Sequence, residues 1–305
     1  MKCAQIINCK LEFKQTPIPI PLYGERLIKV KAFAINRADL LQIDGLYNAP
    51  SGSNIPGLEV AGTDVETGKP VCALIESGGY SEYVCANSLQ IVPAPQSLSL
   101  EESAAFLEAL TTCHMNIFSN AAAAAGETVL IHGGSSGIGS FAISMCKLRG
   151  LHVIASASDL SKSRGCSDLG ADLVIDYTED FEVKLKGQVD IILDILGGAY
   201  LNKNLSCLKF EGRLCLIAMM SGSKAEVNLS SVLMKNLKII GSTLRSKGSE
   251  DKHKLIKSAW QAFGKYIEVG ELKPTIDSVF TFEDLPQALQ RVSSRKHFGK
   301  VVVTI

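Results

Sequence analysis

The feature that most restricts the fold of this chain is the segment 128–148, where a short apolar run leads through a glycine-rich turn into an amphipathic stretch. The turn reads Gly-Gly-Ser-Ser-Gly-Ile-Gly. Glycines let a backbone approach a pyrophosphate closely, and the amide groups at a helix start stabilise its negative charge. The segment therefore predicts a strand, a tight turn and a helix that together bind a dinucleotide.

Beyond residue 127 the chain alternates between apolar, β-branched runs and helical stretches. This alternation is typical of parallel βαβ units, whose strands are buried on both faces of the sheet. Six such strands complete a doubly wound sheet of the Rossmann type. The predicted strands are 128–132, 153–156, 173–176, 191–195, 214–218 and 237–242.

The first hundred residues differ, because short β-like runs there are separated by proline and glycine, a pattern that predicts an irregular β-rich domain. After the sixth strand come a charged loop over 245–254, a helix to about residue 269, a second helix from about residue 282 and a last β-like run over 299–305. The six-stranded sheet is complete without this tail, so we expect the tail to rejoin the first domain. The predicted α/β chain then has a β-rich domain over 1–113 and 252–305, and a Rossmann domain over 114–251.

Composition narrows the classes of partner. The 31 basic and 31 acidic residues leave no net charge, so the chain offers no electrostatic footprint for nucleic acid or an anionic membrane. Its nine cysteines are odd in number and lack a CxxC pair, which is typical of reduced thiols in the cytosol. No apolar signal core opens the chain, and no run approaches about 18 apolar residues. We expect a cytoplasmic protein with small, uncharged partners.

The residues that follow the second predicted strand, 153–156, indicate whether the dinucleotide carries a free ribose 2′-hydroxyl or a 2′-phosphate. Asp159 lies close to the position where an acidic residue accepts hydrogen bonds from a free ribose 2′-hydroxyl, as in NAD-binding chains. Ser158 and Lys162 instead offer a hydroxyl and a cation that could surround a 2′-phosphate. Arg164 reads as an ordinary solvated residue at the start of a helix. We predict NADPH as the cofactor and leave NADH open.

Several separate motifs, spread over nearly the whole chain, occur in the order in which a known protein family carries them. They are Asn36-Arg37-Ala38-Asp39 with Gly45-Leu46-Tyr47, Pro56-Gly57-Leu58-Glu59-Val60-Ala61-Gly62, Gly78-Gly79-Tyr80-Ser81-Glu82-Tyr83-Val84, the glycine turn, and Phe298-Gly299-Lys300-Val301-Val302-Val303. With them the chain resembles the zinc-free, zeta-crystallin-like quinone oxidoreductases of the medium-chain dehydrogenase/reductase superfamily, and in particular the p53-inducible branch. The resemblance implies a GroES-like catalytic domain beside a Rossmann domain, with the active site in the cleft.

The resemblance also implies roles for individual residues. Asn36 and Tyr47 would be the catalytic pair at the nicotinamide end, with Tyr47 facing both substrate and cofactor. The expected cofactor-binding residues are Thr111 at the nicotinamide, Ser135, Ser136, Gly137, Ile138 and Gly139 at the pyrophosphate, Ser158, Lys162 and Tyr177 at the 2′-phosphate, and Ala218 and Leu244 at the nicotinamide and ribose. Asp159 departs from the family pattern, in which a hydroxyl residue is common at its position.

No metal is expected. Zinc alcohol dehydrogenases of the same superfamily hold a Lewis-acidic ion with two thiolates and a histidine, and the corresponding places here read Asn36, Leu58 and Leu107. A site without a Lewis-acidic ion suits an acceptor that already delocalises incoming charge. We therefore predict hydride transfer from the nicotinamide C4 to a quinone or a similar conjugated carbonyl compound, with Tyr47 as hydrogen-bond donor and orienter.

Two alternatives stay open. The same fold could reduce the carbon–carbon double bond of an alkenal, an enone or an enoyl thioester. From another class, the chain could be a low-turnover NADPH-binding protein that serves as a structural or RNA-associated factor, against which the balanced charge argues. For assembly, the apolar sixth strand 237–242 would lie at a sheet edge, and such edges tend to pair. The family's usual homodimer joins these edges, so we expect a homodimer here.

Overall fold

A computed structural model describes residues 1–47 and 49–305. Within these ranges the chain divides into two compact units. The first unit contains residues 1–111 and 244–305, and the second contains residues 112–243. The boundaries predicted from the sequence, after residues 113 and 251, fall slightly later in the chain at both points.

The secondary structure has the following bounds. The strands are β1 (Lys2–Ile7), β2 (Lys10–Gln15), β3 (Glu25–Ile35), β4 (Glu59–Asp64), β5 (Pro70–Leu74), β6 (Tyr83–Asn87), β7 (Ile91–Pro93), β8 (Thr128–Ile131), β9 (His152–Ala157), β10 (Leu173–Asp176), β11 (Val189–Asp194), β12 (Leu208–Leu216), β13 (Lys238–Gly241), β14 (Ile276–Thr281) and β15 (Lys300–Thr304). The α-helices are α1 (Arg37–Ile43), α2 (Leu100–Ser103), α3 (Leu107–Cys113), α4 (Gly137–Leu148), α5 (Leu160–Asp168), α6 (Phe181–Lys184), α7 (Leu201–Cys207), α8 (Leu229–Met234), α9 (Ser249–Glu268) and α10 (Leu285–Ser293), and a π-helical segment covers His114–Asn120.

The second unit is built on a six-stranded sheet with the order β10-β9-β8-β11-β12-β13. Every neighbouring pair is parallel, and helices follow the strands along the chain as in a doubly wound fold. The predicted Rossmann sheet is therefore confirmed. The chain leaves β8 on one side for β9 and later returns on the other side with β11. The switch point at which such sheets bind ligands thus lies beyond the carboxyl ends of β8 and β11.

The first unit is β-rich, as the sequence predicts. Its larger sheet has the order β14-β15-β3-β4-β5-β7, and β6 also pairs with β3. The pairs are antiparallel except β14 with β15. The late strand β15 thus lies inside the sheet, between the edge strand β14 and β3. Its core contains the stacked rings of Phe33 and Tyr80, whose centroids are 4.4 Å apart.

One detail of the tail differs from the prediction. The charged loop expected over 245–254 is shorter, because α9 already begins at Ser249. Glu250 and Asp251 lie in its first turn, where negative charge stabilises the exposed amides of a helix start. None of the helices formed by the described residues is long and apolar enough to cross a membrane.

Candidate active site

The glycine-rich turn lies between β8 and α4, beside the switch point of the second unit. Gly133 has a φ of 68°, and a Cβ placed there would come within 2.4 Å of Cδ1 of Ile195. At Gly139 a Cβ would lie 2.1 Å from the carbonyl oxygen of Gly133. The backbone contact excludes a side chain at Gly139, and the left-handed φ of Gly133 favours glycine there, so the tight turn requires both glycines.

The amides of this turn fall into two groups. The Gly139 amide donates to Oγ of Ser136 at 2.9 Å, and the Ser136 amide donates to the carbonyl of Gly133 at 2.9 Å. The amides of Ser135, Gly137 and Ile138 make no hydrogen bond to any described residue. They lie at the start of α4, a 12-residue helix, whose dipole adds positive potential. Three of the five predicted pyrophosphate residues thus present amides that could hold an anion.

Beyond the end of β9 lies a polar cluster formed by Ser158, Asp159 and Lys162. Asp159 is the N-cap of α5, since its Oδ1 accepts from the Lys162 amide at 2.9 Å. Its other oxygen accepts from the Ser158 hydroxyl at 3.1 Å. The Nζ of Lys162 lies 3.4 Å from that hydroxyl and 3.9 Å from the carboxylate. Hydrogen bonding by the Lys162 amide lowers the pKa of Asp159, so the carboxylate is charged and serves as a helix cap.

Tyr177 is close to this cluster in the sheet order. It directly follows β10, whose last residue, Asp176, is in register with Ala157 of β9. Tyr177 and Ser158 therefore follow the carboxyl ends of adjacent parallel strands. The Tyr177 ring lies against the Tyr200 ring, with centroids 6.3 Å apart. The structure thus brings Ser158 and Lys162 into contact and places Tyr177 directly after the neighbouring strand, β10.

In the first unit, Asn36 is buried just before α1 and is held by charged residues. Its Nδ2 donates to Glu59 at 3.0 Å, and its Oδ1 accepts from Nζ of Lys300 at 2.7 Å. The same ammonium lies 2.7 Å from Glu59 and 3.3 Å from Glu108. Burial by itself would lower the pKa of Lys300, but Glu59 and Glu108 raise it. The charged ammonium therefore fixes the orientation of the Asn36 amide.

Sequence reasoning missed Lys300, Glu59 and Glu108. Two of them could have been found from the sequence. Lys300 and Glu59 are charged residues inside apolar strand patterns. A buried ion is stable there only if it is paired. The positions compared with zinc ligands, Leu58 and Leu107, each directly precede one of the two glutamates. Among residues 1–47 and 49–305, no group of three or more His, Cys, Asp or Glu is placed to hold a metal ion.

Tyr47 is half-buried and packs against Arg245, which lies in the tail of the chain. An Arg245 nitrogen donates to the carbonyl of Tyr47 at 3.1 Å, and its Nε donates to the carbonyl of Glu76 at 2.9 Å. A further nitrogen donates to Oε1 of Gln42. Burial raises the pKa of Tyr47, an effect that the charge of Arg245 reduces. The phenol is therefore protonated at neutral pH and can donate a hydrogen bond.

A second buried carboxyl, Asp39 in α1, lies close to this pair. It accepts from the amides of Asn36 at 2.8 Å and Gly57 at 3.2 Å, and from the Tyr80 hydroxyl at 3.1 Å. Burial raises the pKa of Asp39 to about 6, although these hydrogen bonds and the charge of Arg245 lower it. Asp39 thus links the backbone of Asn36 to the loop between β5 and β6 that carries Tyr80.

The remaining predicted residues are placed as follows. Thr111 is fully buried in α3, and its hydroxyl donates to the carbonyl of Leu107 at 2.7 Å. Only its lone pairs are left to interact with a ligand. Ala218 follows the carboxyl end of β12 in the second unit, and Leu244 is the residue at which the chain re-enters the first unit.

Comparison with known proteins gives two family matches. The family described as alcohol dehydrogenase GroES-like domain matches residues 23–96, and that described as zinc-binding dehydrogenase matches residues 169–303. The first match lies in the β-rich first unit. The second covers most of the Rossmann sheet and the tail.

Individual relatives cover nearly the whole chain. Quinone oxidoreductase of Lama guanicoe is 30% identical over 306 residues, 94% of this chain and 91% of that protein. The synaptic vesicle membrane protein VAT-1 homolog of Danio rerio is 30% identical over 92% of this chain, which spans 64% of that protein. The quinone oxidoreductase of Thermus thermophilus, solved with and without NADPH, is 28% identical, with a TM-score of 0.89 over the whole of both chains.

A GroES-like unit joined to a Rossmann unit defines an oxidoreductase of the medium-chain dehydrogenase/reductase superfamily. Within that superfamily, the chain belongs to the quinone oxidoreductase family.

Proposed function

We propose that this chain is an NADPH-dependent quinone oxidoreductase that works without a metal ion. The observation that carries the proposal is the set of three amides at the start of α4, of Ser135, Gly137 and Ile138, that have no partner among the described residues. The same unit carries Ser158 directly after β9 and Lys162 in α5. Amides at a helix start suit a pyrophosphate, and a hydroxyl beside an ammonium suits a 2′-phosphate. The NADPH complex of the Thermus thermophilus relative supports the same cofactor.

Asp159 is compatible with this choice of cofactor. Both of its oxygens accept hydrogen bonds within the chain, one from the Lys162 amide and one from the Ser158 hydroxyl. The carboxylate therefore has a role as the cap of α5 that does not depend on a free ribose hydroxyl. The Lys162 side chain is 13% exposed and stays near Ser158. Its charge partly offsets that of Asp159, and Tyr177 supplies a further hydroxyl on the adjacent strand.

For the chemical step, the bound nicotinamide would supply a hydride from its C4. The residues of this chain would then position and polarise the acceptor. Tyr47 keeps its proton at neutral pH, and its hydroxyl makes no hydrogen bond to the described residues, so it can donate to an acceptor oxygen. The Asn36 amide is held in one orientation by Lys300 and Glu59 and would orient the same end of the site. A quinone suits these groups because the negative charge that the hydride brings is delocalised over its conjugated ring and oxygens.

Stopped-flow oxidation of NADPH and NADH in parallel, with 9,10-phenanthrenequinone and with an alkenal as acceptors, tests the proposal. We expect rapid turnover with NADPH and the quinone. Faster turnover with the alkenal or a crotonyl thioester would assign the chain to double-bond reduction instead. Binding of NADPH without turnover on either acceptor would contradict an enzymatic role.

The cofactor assignment has its own pair of variants. Lys162→Ala should weaken NADPH binding and leave NADH binding unchanged, since only NADPH carries the 2′-phosphate. Arg164→Ala removes a cation from the exposed face of the same helix, α5, and should affect neither nucleotide. An equal loss of both nucleotides in Lys162→Ala would refute the phosphate-pocket assignment.

We further propose a homodimer formed through β13. This strand is at the edge of the six-stranded sheet, where its unpaired backbone groups favour pairing. Ile239 on the strand is 44% exposed, and Leu229, Leu233 and Met234 of the preceding α8 are each more than 70% exposed. A group of exposed apolar side chains beside an open sheet edge is typical of a surface that a second protein chain covers.

A cytosolic location is the last part of the proposal. No disulfide joins any of the nine cysteines among the described residues. Most of these thiols are buried, and burial raises the pKa of Cys166 and Cys215 to about 11. Protonated, buried thiols fit a reducing compartment.

A further inference from the structure

A buried histidine follows the central strand β8 and immediately precedes the glycine turn. His132 is completely buried. Its Nε2 lies 2.8 Å from Oδ1 of Asn204, in α7, and its Nδ1 lies 3.2 Å from Oγ of Ser156, in β9. The Ser156 hydroxyl is also the acceptor for the Gly133 amide, at 3.1 Å. These contacts form one continuous series from α7 to the first glycine of the turn.

The placement of the Asn204 amide gives each hydrogen bond in this series a direction. With its Oδ1 facing the ring, the amide accepts, and the imidazole proton is then on Nε2. Burial lowers the pKa of His132, although Asp194 and Asn204 act to raise it, so the ring is neutral and its Nδ1 is a bare acceptor. The Ser156 hydroxyl then donates to Nδ1, and its lone pairs face the Gly133 amide.

Ser156 also holds the turn through its backbone. Its carbonyl accepts from the Gly134 amide at 2.9 Å, so the residue binds both leading glycines. The Gly133 and Gly134 amides are consequently engaged within the protein. Further along the same turn, the amides of Ser135, Gly137 and Ile138 have no hydrogen-bond partner in the described part of the chain. Ser156 therefore engages two amides of the turn within the protein and leaves the later ones to other partners.

We propose that His132 is a positioning residue for the nucleotide-binding turn and acts through Ser156 without touching the nucleotide. Its neutral Nε2–H tautomer, selected by Asn204, orients the Ser156 hydroxyl so that the hydroxyl accepts from Gly133. This arrangement holds the turn in its binding geometry before the ligand arrives, which reduces the ordering cost of binding. The inference rests on the proposed binding of a nicotinamide dinucleotide.

Equilibrium binding of NADPH and of NADH to the full chain, followed by fluorescence, tests the proposal without reference to turnover. Ser156→Ala removes the hydroxyl with little change in shape. One hydrogen bond of ordinary strength corresponds to about a three- to tenfold loss of affinity. The loss should be equal for the two nucleotides, because the turn would contact the pyrophosphate that they share. This pattern differs from the NADPH-selective loss expected for Lys162→Ala.

Asn204→Leu tests the more distant step of the series. It removes the acceptor of the Nε2 proton and should weaken both nucleotides to a similar extent. Leu205→Ala is the matched control, since Leu205 is buried in the same helix and its truncation destabilises the unit while both hydrogen bonds of His132 keep their partners. Leu205→Ala should lower the unfolding midpoint while the affinity of the folded protein is unchanged.

A spectroscopic readout separates positioning from simple loss of stability. The ¹⁵N resonances of His132, assigned by their absence in His132→Gln, should show a protonated Nε2 and a bare Nδ1 in the wild type. Asn204→Leu should abolish this preference. A wild-type ring protonated on Nδ1 would overturn the proposal, as would unchanged affinity in Ser156→Ala. If the wild type binds neither nucleotide, the proposed function itself fails.

Discussion

The guanidinium carbon of Arg245 lies 5.2 Å from the centre of the Tyr47 ring. At this distance the cation is attracted by the ring face, and the same side chain also donates to the Tyr47 carbonyl. The two residues are 198 positions apart in the chain. Arg245 thus joins the loop that carries Tyr47 to Gln42 of α1 and to the chain at Glu76.

Replacement of Arg245 should therefore destabilise the first unit. Arg245→Met leaves the carbonyls of Tyr47 and Glu76 and the amide of Gln42 without their donor, and we expect a loss of about 2–4 kcal/mol in the free energy of unfolding. Urea denaturation measures it. Arg37→Met, which replaces an exposed arginine of α1, should change stability by less than about 0.5 kcal/mol. Equal stability of the two variants would contradict the assigned role.

Tyr47→Phe should behave differently from Arg245→Met. It keeps the ring that packs against the guanidinium and removes only the hydroxyl, so stability should change by less than about 1 kcal/mol. If the hydroxyl donates to the acceptor as proposed, quinone turnover should fall about tenfold or more. Unchanged turnover would remove Tyr47 from the reaction and leave the folding role of its ring intact.

The buried ammonium of Lys300 leads to a stability prediction of a different kind. Lys300→Met leaves Glu59 and Glu108 with uncompensated charge, and removal of one partner of a buried ion pair costs about 3–5 kcal/mol. Adding Glu59→Gln should recover part of this loss, because it neutralises one of the two carboxylates. Thermal and urea unfolding of the single and double variants provide the measurement. A double variant less stable than Lys300→Met would show that Glu59 is needed for its hydrogen bonds more than for its charge.

Sequence patterns predict some parts of this site and not others, for a physical reason. The six parallel strands and the glycine turn depend on local periodicity and on backbone geometry, so the residues themselves indicate them. The contacts of Lys300 with Glu59 and of Arg245 with Gln42 join residues 241 and 203 positions apart. No local pattern encodes such pairings. The N-cap role of Asp159 is local, and a reading of capping signals at the start of α5 would have found it.

Asp39 makes stability depend on pH between about 4 and 6. Burial raises its pKa from 3.8 to about 6 in the folded chain, so the folded state binds the proton more tightly than the unfolded state. The stabilising contribution is complete below about pH 4 and is lost as pH rises through 6, with a size on the order of 2–3 kcal/mol.

The measurement is the free energy of unfolding of the wild type and of Asp39→Asn over this pH range. The advantage of the wild type over the variant should shrink as the pH rises from 4 to 6. Asp277 supplies a contrast: its pKa is lowered to about 2, where burial is opposed by hydrogen bonds from Arg291 and Phe298. Its contribution should be present above about pH 4 and disappear only as pH falls towards 2. Parallel curves for wild type and Asp39→Asn would contradict the raised pKa.

The proposed dimer predicts a mass of twice 32.7 kDa in light scattering at micromolar concentration. Ile239→Lys places a charge on the exposed edge strand β13 and should produce monomers. Val279→Lys is a matched control, because Val279 is 48% exposed on β14, the edge of the other sheet. A monomeric wild type would refute the proposed interface.

The pairing of β15 with residues 32–35 of β3 determines the order in which the two units can fold during synthesis. The six-stranded unit is continuous in sequence and can close while synthesis is still under way. By contrast, part of one edge of β3 stays unpaired until residues 300–304 have been synthesised. Glu59 lacks the ammonium of Lys300 for the same interval. During that interval the β-rich unit keeps part of the β3 edge unpaired, and an unpaired strand edge favours misassembly.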